Sequence, residues 1–201
     1  MTFLNLMKSL YDIDITEKFS KAKENVSRKV NDFAREYLSS EAYRSYSESL
    51  KNLKYEISYL PSRIMNVYNY FKGKTERFVE GVLGLYDIYR NKITINKYLD
   101  KPEDIEAVMA HERVHHATRN WIVEYFKRFG EAARPVIEGF TDLATSLMGY
   151  KTHYNQYAYR AYQTLRKMGY NIRDGLKKVL NFQADPNYVM SSFYGLNRCY
   201  R

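Results

Sequence analysis

The chain has one cysteine, Cys199, and only four histidines in 201 residues. A lone thiol excludes an internal disulfide framework and every metal motif built from several cysteines. No run of about 18 apolar residues occurs, which excludes a transmembrane helix. The start of the chain, Met1 to Lys8, has neither a basic opening nor a small-residue cleavage site. These absences set the expectation of a cytoplasmic protein with no signal peptide and no membrane partner. Four prolines, nine glycines, no internal repeat and no low-complexity linker point to one compact domain over residues 1–201, a length sufficient to bury a core.

Acidic residues are also the minority, with 23 Asp and Glu against 32 Lys and Arg for a net charge of +9. That balance favours acidic partners such as nucleic acid, an anionic surface or acidic substrates. Mean hydropathy is −0.60, as in a soluble chain. Tyrosine is abundant, at 21 residues. A Tyr-rich, Lys-rich, Cys-poor composition resembles that of proteins from hyperthermophilic archaea and their viruses.

Residues 15–60 read as helical. Phe19, Ala22, Val26, Val30, Phe33 and Tyr37 recur at spacings of three and four. Ser39-Ser40-Glu41 breaks the pattern, and Ser40 is placed to cap a second helix through Tyr43, Tyr46, Leu50 and Leu53 toward Pro61. These helices are either core support or a pro-segment, a dimerisation arm or a substrate-recognition arm. A third helix is predicted over Ser62 to Lys72, ending at Gly73. A hairpin follows: a strand over Phe78–Tyr89, a polar turn at Arg90-Asn91-Lys92, and a return strand Ile93-Thr94-Ile95-Asn96. Gly81 and Gly84 suit either a close approach by another backbone or a bulge.

The segment Pro102 to Phe129 reads as one continuous helix, with Asp100 as its N-cap. It carries His111-Glu112-Arg113-Val114-His115, an H-E-x-x-H pattern. Residues i and i+4 share one helical face, so both imidazoles can address one metal ion. Glu112 lies about 100° round the helix, near enough to reach a water on that ion without ligating it. Zn²⁺ lowers the pKa of such a water to about 7, and a carboxylate can then take its proton. With four His and fourteen Glu in the chain, the pattern arises by chance roughly once in two hundred such sequences. Ile105, Val108, Val123 and Phe126 fall on the same side as the motif, which turns it inward, where unpaired polar groups are costly.

A catalytic zinc takes three protein ligands and leaves a fourth position open. Phe129-Gly130-Glu131 offers a turn, and Pro135 suits the first turn of a new helix. On that helix Glu138 and Asp142 are again i and i+4. Glu138 is placed to be the third ligand, and Asp142 to accept the other ring N–H of a ligating histidine, His111 foremost. Ile137, Phe140, Ala144 and Leu147 form the accompanying apolar stripe.

H-E-x-x-H followed by E-x-x-x-D on the next helix resembles the gluzincin clan of zinc metallopeptidases, the thermolysin-like enzymes and the small minigluzincins. The likeness spans residues 78–150. No glycine and third histidine follow at metzincin spacing. The resemblance implies Zn²⁺ on His111, His115 and Glu138, Glu112 as general base, Asp142 behind a histidine, and a peptide or protein substrate added along an edge strand. It implies an α+β, mostly helical fold, in which a small antiparallel hairpin precedes the active-site helix and the glutamate helix. Residues 1–74 are then N-terminal support or pro-segment, 75–150 a zincin catalytic core, and 151–201 C-terminal helices: the stretch 151–157 leads into a helix with Tyr159, Tyr162, Leu165 and Met168 that stops at Gly169, and two short helices follow over Asn171 to Leu180 and Asp185 to Phe193. An oxyanion donor is sought beyond the glutamate helix, in His153, Tyr154 or Tyr157. His116 reads as structural. Arg119 is placed either to bind a substrate carboxylate or to pair with a nearby acid.

A second reading belongs to another class. Residues 151–201 hold nine Lys and Arg against two Asp, with eight Tyr interleaved. Such a surface suits nucleic acid, with the zinc site then purely structural.

Overall fold

The computed structural model describes residues 3–58, 63–69, 74–80, 83–99, 101–152 and 155–195, with side chains described for 14–58, 83–99, 101–152 and 156–195. The elements run α1 (Phe3–Tyr37), α2 (Ser40–Leu50), β1 (Lys54–Ser58), β2 (Arg63–Asn69), β3 (Lys74–Glu80), β4 (Gly84–Asp87), β5 (Lys92–Asn96) and α3 (Pro102–Ala117). They continue with α4 (Arg119–Phe129), a 3-10 turn (Gly130–Ala133), α5 (Arg134–Leu147), α6 (Asn155–Lys167), α7 (Ile172–Leu180) and α8 (Pro186–Gly195). The fold is α+β and mostly helical. Among the described residues no helix is long and apolar enough to cross a membrane.

The apolar stripe of α1 does what its spacing demands. Ala22, Val26, Val30, Phe33 and Ala34 are buried, and α1 lies along α3. Ser39, rather than Ser40, caps α2, accepting from the Ala42 N–H. The Asn181 side chain ties this corner to the end of α7. It accepts from the Ser39 N–H at 2.6 Å and donates to the Tyr37 carbonyl at 2.8 Å.

Three expectations for the middle of the chain are overturned. The second helix stops at Leu50, and the residues after Leu53 form β1, which pairs in parallel with β5 from Lys54↔Lys92 to Ser58↔Asn96. The predicted helix over 62–72 is replaced by β2, paired antiparallel with β3 from Arg63↔Glu80 to Asn69↔Lys74. A boundary between residues 74 and 75 therefore falls inside β3. The single long strand over 78–89 is two strands, because β3 ends at Glu80 and β4 begins at Gly84. Short apolar runs such as Tyr55-Glu56-Ile57 and Ile64-Met65 satisfy both periods, and pairing with a distant strand decides between them. Gly81 lies outside the described residues.

The antiparallel hairpin of β4 and β5 is present, with Gly84↔Ile95 to Asp87↔Lys92 in register. With β1 it makes a mixed sheet in the order β1-β5-β4. Ile93 and Ile95 turn one face of β5 into the core, which continues through Met109, Val136, Phe140, Leu165, Leu176 and Phe193 as one contiguous cluster.

The helix predicted over 102–129 is broken at Thr118. There the backbone leaves helical geometry (ψ 16°) and α4 starts afresh. The Thr118 hydroxyl donates to the Val114 carbonyl at 2.8 Å, a back-bond that competes with regular helix and bends it. The buried face of α4 is consequently Trp121, Ile122 and Tyr125, while Val123 and Phe126 are half-buried. Lys101 stands at the N-cap position of α3 with Pro102 first in the helix; Asp100 lies outside the described residues. Gly130, at φ 57°, closes α4, and the 3-10 turn with Pro135 starts α5, which returns against α3. Leu147 ends exposed, outside the stripe expected for it.

Candidate metal centre

His111, Glu112 and His115 stand on α3, and Glu138 and Asp142 on α5. The packing of the two helices brings one atom each from His111, His115 and Glu138 within 4.8 Å of one another. His111 Nε2 is 2.9 Å from His115 Nε2 and 3.0 Å from Glu138 Oε2. His115 Nε2 is 3.4 Å from the same carboxylate oxygen. Ligands on a tetrahedral ion, at about 2.0–2.1 Å from it, stand about 3.3 Å apart. The three atoms thus fit a single small cation after shifts of a few tenths of an ångström.

The outer ring nitrogens explain why the inner ones converge. His111 Nδ1 lies 2.8 Å from Asp142 Oδ1, and Asp142 is only 1% exposed. His115 Nδ1 lies 3.3 Å from Thr141 Oγ1. With each ring donating outward, both Nε2 lone pairs and a carboxylate would converge on one cation, in place of the hydrogen bonding between the Nε2 atoms and Glu138.

The electrostatics agree. Burial pushes the His111 pKa down, but its hydrogen bonds to Asp142 and Glu138 and the nearby charge of Glu112 outweigh this and raise it to about 10. Burial alone would raise Glu138. The charge of His115 and hydrogen bonds to both histidines instead hold it below the ordinary carboxylate range. Both shifts express a site that favours positive charge.

Glu112 is buried beside the triad. Burial raises its pKa above the usual carboxylate value, while the two nearby histidines and a hydrogen bond from the Tyr86 backbone oppose the rise. This contact follows from strand geometry. The Asn96 N–H donates to the Leu83 carbonyl, so alternate residues of β4 bond to β5, while the backbone of Gly84 and Tyr86 faces the open edge. Glu112 takes up that edge.

The other motif residues have different work. Arg113 is buried on the far side of α3, where it donates to the hydroxyls of Tyr55 and Tyr46 at 2.6 and 2.8 Å and to Asn31 Oδ1 at 3.1 Å. His116 is 1% exposed, with Nε2 2.8 Å from Ser49 Oγ and its ring against Tyr46 and Tyr86. Its structural role was legible from its position at the margin of the motif face. Arg119 opens α4 after the break at Thr118 and hydrogen-bonds to the Tyr86 side chain.

His153 and Tyr154 lie outside the described residues. Tyr157 is half-buried in the first turn of α6 and packs against the core. Its carbonyl would stand 2.7 Å from a Cβ added to Gly139, so α6 crosses α5 directly beside Glu138. Several cations of the C-terminal helices engage partners within the chain. Lys177 lies over Tyr37, Lys178 over Tyr170 and Arg166 over Tyr162, and Arg173 pairs with Glu36 at 3.0 Å. Sequence reasoning missed Thr141 and the contact of Glu112 with β4. Thr141 is three residues after Glu138, on its helical face, and that spacing was the available signal.

Comparison with protein families, curated proteins and solved structures found no match to this chain.

Proposed function

We propose that the chain is a zinc-dependent peptidase of gluzincin type. The observation that carries the reading is the convergence of His111 Nε2, His115 Nε2 and a Glu138 oxygen, with a fourth ionisable group, Glu112, buried alongside. A purely structural metal site has no use for that extra carboxylate.

His111, His115 and Glu138 would hold the ion. Zn²⁺ held there supplies Lewis acidity toward a water and a substrate carbonyl. The protein's own groups do the rest. Glu112, with its pKa raised by burial, accepts a proton from the attacking water and delivers it to the leaving amine. Its hydrogen bond from Tyr86 keeps the carboxylate at the edge of the sheet. Asp142 would hold His111 in the tautomer that turns the Nε2 lone pair toward the ion. β4 is an end strand of its sheet, and an extended peptide laid along it would pass the Glu112 carboxylate. The oxyanion donor is assigned to Tyr157, whose backbone meets α5 beside Glu138, or to His153.

The test is Glu112→Gln in the full chain, with zinc content and hydrolysis of an unstructured protein such as casein measured together. Retained zinc with a loss of about 10²–10⁴ in rate is expected for a general base. A variant as fast as the parent sinks the catalytic assignment.

A further inference from the structure

We infer that Thr141 is a positioning residue for His115, fixing that ring's tautomer through its hydroxyl as Asp142 does for His111 through its carboxylate. The inference rests on the metal-centre reading and adds a residue to it.

The two histidines are held unequally. His111 has a charged acceptor 2.8 Å from Nδ1. The atom facing His115 Nδ1 is a neutral hydroxyl at 3.3 Å. A neutral imidazole carries one ring proton, and the nitrogen that keeps it is decided by the hydrogen bond offered. If the proton moves to Nε2, it faces Glu138 Oε2, 3.4 Å away. That arrangement is self-satisfied and hides the lone pair from a metal. An acceptor at Nδ1 disfavours it, and Thr141 supplies one.

The hydroxyl is suited to this. Thr141 is 2% exposed, so water does not replace it readily. The hydroxyls of Thr118, Thr145 and Thr164 bond back to the carbonyl four residues earlier on their own helices. That of Thr141 reaches across from α5 to α3. A hydroxyl has two acceptor lone pairs as well as a donor, so the role uses only what threonine carries. Because the acceptor is neutral and the contact longer, its effect should be smaller than that of Asp142.

The experiment compares the full chain with Thr141→Val and Thr141→Ser. Zn²⁺ affinity is read by chelator competition, melting is followed in excess chelator, and the His115 tautomer is read from ring ¹⁵N shifts in the metal-free protein. Valine keeps the shape and removes the hydroxyl; serine keeps the hydroxyl. The inference expects Thr141→Val to weaken Zn²⁺ binding about ten-fold, the low end for loss of such a partner. It also expects the His115 proton to move toward Nε2, metal-free melting to stay near the parent value, and Thr141→Ser to retain parental affinity and tautomer. Parental affinity in Thr141→Val, or an equal loss in Thr141→Ser, overturns the role of Thr141 and leaves the metal centre standing. A parent chain that does not take up Zn²⁺ overturns the metal centre and this inference together.

Discussion

Gly84 of β4 and Glu112 of α3 are fitted to one another. A Cβ at position 84 would stand 2.9 Å from both Cγ and Oε1 of Glu112 and 2.5 Å from Cγ1 of Val108. Only a residue without a side chain lets the edge strand lie this close to the motif helix. Glycine suits that approach because Val108, the nearest neighbour, is β-branched and stiff, although the Glu112 chain can shift.

Gly84→Ala should therefore act on Glu112 more than on the metal ligands. The methyl must displace the Glu112 side chain or push β4 away, at an overpacking cost of about 1–3 kcal/mol. Denaturant unfolding should show that loss, zinc content should stay at the parent level, and kcat should fall at least about ten-fold, since misplacement of a catalytic group by an ångström is expensive. An alanine variant with unchanged kcat would mean that the carboxylate does not work from this position.

His116 makes a prediction about acid. Burial, with Arg113 and Arg119 nearby, pushes its pKa down to about 3 from 6.5. The folded chain keeps this ring neutral, while the unfolded chain protonates it below about pH 6.5. Stability from this group is therefore complete above pH 6.5 and is lost as pH falls from 6.5 toward 3, by at most about 1.4 kcal/mol per pH unit. Urea melts of the parent and His116→Phe across that window should show a shallower acid slope in the variant. Identical slopes would place the ring in contact with water.

Residues 1–50 make a prediction about maturation. α1 buries Val26, Val30 and Phe33 along α3, each worth about 1.5–3 kcal/mol when fully buried. Asn31 and Tyr46 also receive the Arg113 guanidinium from the motif helix. Their combined loss rivals the roughly 5–15 kcal/mol that holds a domain together. A chain starting at residue 51 should be aggregated or unfolded by circular dichroism. Soluble, more active material from that truncation would instead support the pro-segment reading of this region.

Sequence alone reached the parts of the site that share a helix. The placement of His111 with His115, and of Glu138 with Asp142, depends on the 3.6-residue period and on nothing distant. The helices after residue 155 were legible for a similar reason: Asn171 caps α7, and Gly169 sits at φ 77° where α6 has ended. The region 51–80 was not. Its short apolar runs suit a helix and a strand alike, and the choice falls to partners tens of residues away, as when β1 finds β5.

What the residues themselves determined is thus the content of each helical face: two imidazoles and an acid on one, two carboxylates on the other. Only the tertiary structure decided that Thr141 faces His115, that Gly84 admits Glu112, and that Arg119 turns toward Tyr86. The reason is range. A helical turn fixes neighbours three and four residues apart by covalent geometry, whereas contacts between helices and strands are chosen by packing and by the pairing of buried polar groups, which no local pattern encodes.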